Sequence, residues 1–287
     1  MFPGATADRA AAAYVVVGAP LDISTTFQPG TRFGPDRVRR FAASFEDYDR
    51  RTDRHFSKQA VHDAGDIHAW NDAAEYVDFL AGELSEVVGD DAVPLLLGGE
   101  HTVSVAGVRA VDPDLFVCLD AHLDLRDAFD GDPWSHACVT HRVLDTADHA
   151  VIVGARAGSE AEWDRAAAAD VTTVDPETVS DRGATAVLDA VSGAVADPAS
   201  ASTYLSVDID AADPAVAPGT GTMEPGGLSA REMRAVVRAV APFADGADVV
   251  EVNDRDDGQA ATLGGKLLRD AVFAHADSAD TSGDADR

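Results

Sequence analysis

Short apolar runs recur along the chain and alternate with segments in which apolar residues repeat at helical spacing. The apolar runs lie at 14–18, 60–64, 94–98, 115–120, 150–154, 171–174, 203–209 and 248–253. Near-continuous apolar strands are typical of parallel sheets that are buried on both faces, and intervening helices would cover those faces. The pattern therefore predicts an α/β protein with three layers, α/β/α, and a mostly parallel sheet of about eight strands.

Several of the predicted helices begin with recognisable signals, because a helix start needs partners for its free N–H groups or a residue that lacks one. These helices are 36–41 with Pro35 in the first turn, 71–88 capped by Asn71, and 229–240 opened by the capping box Ser229-Ala230-Arg231-Glu232. A last helix is expected over 260–275. The apolar residues of the helix over 71–88 repeat at helical spacing and are expected to be core residues without a chemical role.

The chain reads as one domain with short extensions. Its 287 residues, 46% of them hydrophobic, suffice for one large core. We expect residues 1–12 to form a loose N-terminal arm and residues 13–275 to form the domain. The segment 276–287 contains mostly small and charged residues and is predicted to be a disordered acidic tail.

Acidic residues dominate the charge. The chain has 51 acidic and 22 basic residues, a formal net charge of −29 and a pI near 4.3, and its lysines are Lys58 and Lys266. Such a field repels nucleic acid and anionic membranes, so neither is expected as a partner. A salt-adapted cytoplasm, in which solvated carboxylates keep a protein soluble, explains the excess better than substrate steering, which concentrated salt would screen.

The cysteines and the N-terminus point to the cytoplasm. Cys118 falls in a predicted central strand and Cys138 beside the predicted site, so both are expected to be reduced packing residues rather than a disulfide framework. The N-terminus has no basic region followed by a long apolar stretch, and its apolar run is too short to span a bilayer.

Metal-ligand residue types follow the strand at 115–120. Asp120, His122 and Asp124 alternate, so an extended backbone would place all three on one face. Two carboxylates and an imidazole favour a divalent ion such as Mn²⁺, although Zn²⁺ also fits. A polar loop with capped helix ends is the plainer alternative for this short motif.

Two more strand ends strengthen the metal hypothesis. Asp208 and Asp210 follow the strand at 203–209 with the same spacing, and His101 follows a Gly pair after the strand at 94–98. Neighbouring carboxylates repel each other unless a cation lies between them. Because one ion cannot use six ligands well, the sequence favours two ions that share bridging carboxylates.

These motifs resemble the metal signatures of the ureohydrolase (arginase/agmatinase) family, in the family's order, and agmatinases are the branch with the greatest similarity. The signatures are Gly98-Gly99-Glu100-His101-Thr102, Asp120-Ala121-His122-Leu123-Asp124 and Ser206-Val207-Asp208-Ile209-Asp210-Ala211-Ala212-Asp213-Pro214. Further matches include Ser135-His136-Ala137-Cys138, Glu224-Pro225-Gly226-Gly227-Leu228 and Glu251-Val252-Asn253. Asp254 and Met223 depart from the family pattern, which puts fine specificity in doubt more than the chemistry.

The resemblance implies an arginase-like fold, two Mn²⁺ ions per subunit and a bridging hydroxide that attacks a guanidinium carbon. Asp120 and Asp208 would be the bridging ligands. The remaining metal ligands would pair as His101 with Asp124 on one ion and His122 with Asp210 on the other. Glu251 would bind the guanidinium and His136 would deliver a proton to the leaving amine; the plainer alternatives are a surface carboxylate and a structural histidine.

Substrate choice in the family depends on the loop after Asp124. Here the loop, 125–134, has three acids and no Asn, which suits a positive or neutral tail better than the α-carboxylate of arginine. Agmatine meets that requirement, with putrescine and urea as products. Arg126 weakens this reasoning, since an arginine can grip a carboxylate. Trp134 is a candidate for packing along a methylene chain, with a core role as its alternative.

Other functions remain open at this stage. The same machinery would serve guanidinobutyrate, arginine or aminopropyl-agmatine. A non-catalytic homologue that acts as an assembly subunit is a different class, as is the one-metal deacetylase chemistry that shares the fold but would leave several ligands without purpose. Family members assemble as trimers or hexamers, so a homo-oligomer is expected.

Overall fold

The structure is built on one large parallel sheet. The computed structural model of the chain describes residues 1–68 and 70–285. Its strands are β1 (Tyr14–Ala19), β2 (Tyr48–Asp49), β3 (Arg54–His55), β4 (Val61–Asp66), β5 (Val93–Gly98), β6 (Leu115–Leu119), β7 (His149–Val153), β8 (Val171–Val174), β9 (Thr203–Val207) and β10 (Ala244–Val249). Eight of these strands form the sheet in the order β4-β1-β5-β10-β9-β6-β7-β8, with every neighbouring pair parallel. Strands β2 and β3 form a separate antiparallel pair.

Helices connect the strands and cover both faces. They are α1 (Gly34–Ala42), α2 (Ala73–Gly89), α3 (Ser104–Val111), α4 (Val139–Val143), α5 (Glu160–Ala166), α6 (Pro176–Arg182), α7 (Thr185–Ala194), α8 (Ala230–Val240) and α9 (Gln259–Ala285). Pro35 lies in the first turn of α1, and Ser229 opens α8 with a capping box, as predicted. The cap of α2 is Asp72 rather than Asn71, because the Asp72 side chain reaches the N–H of Glu75.

Two apolar clusters explain why the strands have no polar face. Leu115, Val117 and Leu119 of β6 pack into a core with α1, α6, α7, α8 and α9. Phe116 and Cys118, which alternate with them, pack on the opposite face with α2, α3 and α4. Strands β1, β6, β7 and β9 bury both of their faces, whereas the edge strands β4 and β8 keep exposed residues. The prediction of a three-layer α/β/α fold with a parallel sheet is confirmed.

Strand ends differ from the predictions where the site begins. The last strand was expected over 248–253, but β10 starts at Ala244 and ends at Val249. Glu251 has φ +60°, a left-handed conformation that an extended strand cannot contain. The start was missed because Asp245 and Gly246 interrupt the apolar pattern. Strand β6 likewise ends at Leu119, before the ligand motif.

The termini are more ordered than predicted. Residues 1–12 are not a loose arm, because Phe2 is buried and packs on Phe56, with ring centroids 5.6 Å apart. Helix α9 continues to Ala285, so most of the expected disordered tail is helical; its segment 276–282 contains neither glycine nor proline to stop it. Residues 286–287 of that tail lie outside the described residues. No helix among the described residues is long and apolar enough to cross a membrane.

Candidate metal centre

The predicted ligands lie at the carboxyl ends of β5, β6 and β9, at the edge where parallel α/β sheets bind their ligands. Strands β6 and β9 are neighbours, and β10 lies between β9 and β5. His101 begins a 3₁₀ turn after β5, the motif from Asp120 to Asp124 follows β6, and Asp208 and Asp210 follow β9. The motif after β6 does not converge by strand alternation, as the sequence suggested. Instead the chain leaves the sheet after Leu119 and turns at Asp124, which has φ +51°.

His101 contacts three of the carboxylates. Its Nδ1 lies 3.1 Å from Asp124 Oδ2, 3.2 Å from Asp120 Oδ2 and 3.6 Å from Asp208 Oδ2. The imidazole is 1% exposed, so these contacts are shielded from water. One nitrogen facing three carboxylate oxygens is a geometry in which a cation can share all four ligands.

His122 forms the second half of the cluster. Its Nδ1 lies 3.0 Å from Asp210 Oδ2 and 3.6 Å from Asp120 Oδ1. Ligand atoms of Asp120, His122 and Asp210 all lie within 4.8 Å of one another, which is compatible with one ion. Because the two oxygens of Asp120 face the two histidines, this carboxylate can bridge two ions.

The electrostatics of the cluster call for cations. Burial raises the pKa of Asp124 to about 6, and the charge of Asp120 acts in the same direction. Burial, followed by the charges of Asp210 and Asp120, raises the pKa of Asp208 well above its usual range. Four buried carboxylates and two imidazoles are hard or borderline donors that fit Mn²⁺, with Zn²⁺ also compatible. The residues present therefore fit a two-metal site.

A buried polar network supports His101 from below. Its Nε2 lies 3.2 Å from the Ser206 hydroxyl, which donates to Asp248 Oδ1 at 2.7 Å. The Cys118 thiol lies 3.7 Å from the same nitrogen. These groups occupy Nε2, so Nδ1 faces the carboxylates. Nothing in the local pattern singles out Asp248 beyond its place in an apolar strand.

Glu251 and His136 lie together beside the cluster. Glu251 Oε1 accepts from the backbone N–H of His101 at 2.9 Å and from His136 Nδ1 at 3.1 Å. Its Oε2 is buried and has no hydrogen-bond partner among the described residues. A buried carboxylate oxygen without a partner is costly unless a cationic group binds there.

Thr26 completes the surroundings of His136. The threonine hydroxyl lies 3.0 Å from His136 Nε2, and in the neutral ring that nitrogen also accepts the backbone N–H of Thr26 at 3.2 Å. Burial opposes charging of the ring, but the hydrogen bond to Glu251 and its negative charge prevail and raise the pKa of His136 to about 9. Thr26 is not predicted from the sequence, because nothing local in a Gly- and Pro-rich loop indicates a contact 110 residues away.

A cavity of about 350 Å³ opens over the cluster, a size typical of small-molecule sites. It is lined by Thr26, His122, Asp124, Arg126, Phe129, His136, Ala137, Ala157, Gly158, Ser159, Glu162, Asp208, Asp210, Thr222 and Glu224. Glu251 lies behind this surface and is 3% exposed.

Trp134 does not line the cavity, contrary to its predicted substrate contact. The guanidinium carbons of Arg109 and Arg142 lie 5.2 and 5.8 Å from the centre of the Trp134 ring. The indole also packs against the core cluster beneath α2 and α3. Its core role, the alternative considered from the sequence, is the one that the packing supports.

The fold and the site together define an α/β protein with a buried carboxylate and imidazole centre suited to divalent cations. The chain belongs to the arginase family, whose family model matches residues 12–274. The sequence-based assignment to the ureohydrolases is thereby confirmed.

Individual relatives agree with this assignment. An agmatinase of Bacillus cereus is 34% identical over 250 residues, which cover 83% of this chain and 82% of the relative. An N(1)-aminopropylagmatine ureohydrolase of Thermococcus kodakarensis is also 34% identical, over 76% of this chain and 74% of the relative. The crystal structure of the agmatine ureohydrolase of Thermoplasma volcanium aligns with a TM-score of 0.91 at 29% identity, covering 98% of this chain and 95% of that one. Relatives named for two different substrates have the same sequence identity to this chain, so the level of identity does not indicate which substrate this chain uses.

Proposed function

We propose that the protein is a binuclear manganese agmatinase that hydrolyses agmatine to putrescine and urea. The observation that carries this proposal is the meeting of six ligand side chains from three strand ends beneath one cavity. The relatives named agmatinase support the choice of substrate.

The metal ligands divide between two positions. His101 and Asp124 would hold one ion, His122 and Asp210 the other, with Asp120 and Asp208 shared; the contacts of both histidines with Asp120 support this division. Two bound divalent cations lower the pKa of a shared water so that hydroxide is available near neutral pH.

The chain's own groups position the substrate and supply a proton. Hydrolysis adds the oxygen of water to the guanidinium carbon and breaks its bond to the alkyl nitrogen, which leaves as an amine after taking a proton. His136 can supply that proton, because it lines the cavity and the neighbouring Glu251 carboxylate raises its pKa. The partnerless Oε2 of Glu251 supports a role in binding the guanidinium.

The cavity wall supports a cationic substrate tail. Glu162 and Glu224 also line it, with Glu224 Oε1 4.0 Å from His122 Nε2, and the one lysine or arginine among the described lining residues is Arg126. Two carboxylates against one guanidinium leave a net negative wall, which favours the ammonium of agmatine over a carboxylate.

The test is a urea-release assay on the Mn²⁺-loaded full chain with agmatine, 4-guanidinobutyrate, arginine and aminopropyl-agmatine as a panel. Agmatine should have the highest kcat/KM, and Asp124→Asn should weaken one metal and lose most of the turnover. If agmatine ranks among the poorest substrates, the substrate assignment is wrong. If metal analysis finds no bound Mn²⁺ and the whole panel is inert, the non-catalytic alternative stands.

A further inference from the structure

One ion pair lies within the cavity wall. Arg126 NH2 lies 3.0 Å from Glu162 Oε2, and both side chains line the cavity. The Glu162 side chain is 6% exposed and that of Arg126 is 35% exposed. The carboxylate of this pair is shielded from water and the guanidinium is about one-third exposed, so the pair interacts more strongly than a fully exposed pair. A change in either partner therefore alters the charge that a neighbouring ligand meets.

The local structure fixes Glu162 more firmly than Arg126. Glu162 is the third residue of α5, and its Oε2 accepts from the backbone N–H and the hydroxyl of Ser159 at 2.9 and 2.7 Å, completing a capping box. No hydrogen bond from the described residues reaches Oε1. Arg126 lies on the loop after Asp124, with its guanidinium carbon 5.2 Å from the centre of the Phe129 ring. The carboxylate is thus a fixed negative charge that the arginine compensates.

The charge of the wall depends on this compensation. With the pair intact, the other carboxylate on this part of the wall is Glu224, whose side chain is 41% exposed and whose Oε1 lies 4.0 Å from His122 Nε2. Loss of Arg126 would leave two carboxylates facing the tail, whereas loss of the Glu162 charge would leave a free guanidinium, which binds carboxylates well. The guanidinium end is common to all candidate substrates, so these changes act on the tail alone.

We propose that Arg126, through its ion pair with Glu162, sets the selectivity of the enzyme for the charge of the substrate tail. The ion pair lowers the preference of the cavity for ammonium tails, so that substrates with a carboxylate tail, such as 4-guanidinobutyrate, can also bind. The choice of agmatine and 4-guanidinobutyrate as substrates rests on the proposed function. The charge selectivity of the cavity can be tested by ligand binding alone.

The experiment compares Arg126→Gln and Glu162→Gln in the Mn²⁺-loaded full chain at one fixed salt concentration. Gln at position 162 can still close the capping box, so α5 should keep its start. Arg126→Gln should raise the ratio of kcat/KM for agmatine to that for 4-guanidinobutyrate about tenfold, and Glu162→Gln should lower it about tenfold, as expected for one charge at close range in a partly shielded site. The double variant should return to within about threefold of the wild type.

Arg165→Gln is the matched control. Arg165 lies on α5, pairs with Asp170 at 2.7 Å and does not line the cavity. The substitution therefore removes one positive charge, as Arg126→Gln does, without changing the cavity wall. The ratio of kcat/KM values should stay within about twofold of the wild-type value, because Arg165 is about as exposed as Arg126 but does not line the cavity. Isothermal titration with putrescine and 4-aminobutyrate, which are not hydrolysed, measures the same selectivity without turnover.

Opposite shifts in the two cavity variants support the proposal. Shifts in the same direction, or shifts no larger than that of Arg165→Gln, overturn it. If the wild type releases no urea from agmatine while the titrations still shift in opposite directions, the proposed function fails and the charge selectivity stands.

Discussion

Asp208→Asn should stabilise the metal-free protein while removing its response to Mn²⁺. Asp208 is 3% exposed, and its Oδ2 and that of Asp120 lie 3.6 and 3.2 Å from one nitrogen of His101, so the two oxygens are at most about 7 Å apart. Two negative charges at that distance repel by about 2 kcal/mol at an effective dielectric constant of 20. Attraction to the His101 ring offsets part of this repulsion, which leaves an expected gain of about 1–2 kcal/mol.

The substitution is nearly isosteric. Asp208 Oδ1 accepts the backbone N–H of Asp210 at 2.8 Å, and the amide oxygen of Asn can accept the same bond. The variant therefore removes charge without opening a hole in the site.

The assay is urea unfolding with EDTA and with saturating Mn²⁺, at neutral pH. With EDTA the variant should unfold at higher urea, whereas the stabilisation that Mn²⁺ gives the wild type through preferential binding to the folded state should be largely lost. Asp164→Asn, which changes an exposed carboxylate on α5, is the control and should leave both values unchanged. A metal-free variant that is less stable than the wild type, or one that keeps the full Mn²⁺ response, would refute the proposed crowding of charges.

Two further predictions concern His136 and the buried pair of Arg39 and Asp63. His136→Ala should lower kcat by about 10²–10⁴-fold with unchanged Mn²⁺ content, and it should remove the loss of activity near pH 9 that deprotonation of the ring causes in the wild type. Steady-state urea release measured across pH, together with metal analysis, tests both effects. An unchanged pH profile would show that His136 is not in the proton path. Asp63→Ala should lower the free energy of unfolding by about 2–4 kcal/mol in urea titrations, since Asp63 receives two bonds from Arg39, at 2.8 and 2.9 Å, and Asp66 remains as a second partner. Burial alone would raise the pKa of Asp63, but its hydrogen bonds to Arg39 lower it. The stabilisation from this pair is therefore present above the unfolded-state pKa of about 4 and is lost as pH falls through the pKa of the folded state. Asp63→Ala should make the free energy of unfolding less dependent on acid pH. Equal acid sensitivity in both proteins would contradict that account.

Local patterns in the sequence carried the fold class and the identities of the metal-site side chains. Strands buried on both faces leave uninterrupted apolar runs, and a capping box or a proline in a first turn needs only neighbouring residues. The ligand motifs are short and lie at the ends of such runs, so Asp120, His122 and Asp124 could be singled out without coordinates. The order of motifs along the chain indicated the family.

Tertiary structure alone decided how those groups are supported and what faces the substrate. Glu251 meets the His101 backbone across 150 positions of sequence, and Thr26 meets His136 across 110. Such contacts leave no periodic trace, because they depend on which loops the sheet order brings to one edge. The sequence predicted that Trp134 contacts the substrate, but its side chain packs against the core and does not line the cavity. The pairing of Arg126 with Glu162 likewise joins a loop to the first turn of α5, and neither local sequence indicates that the two charges meet. Sequence thus fixes chemical types through local geometry, whereas long-range packing decides their partners, because only the folded backbone sets distances between remote segments.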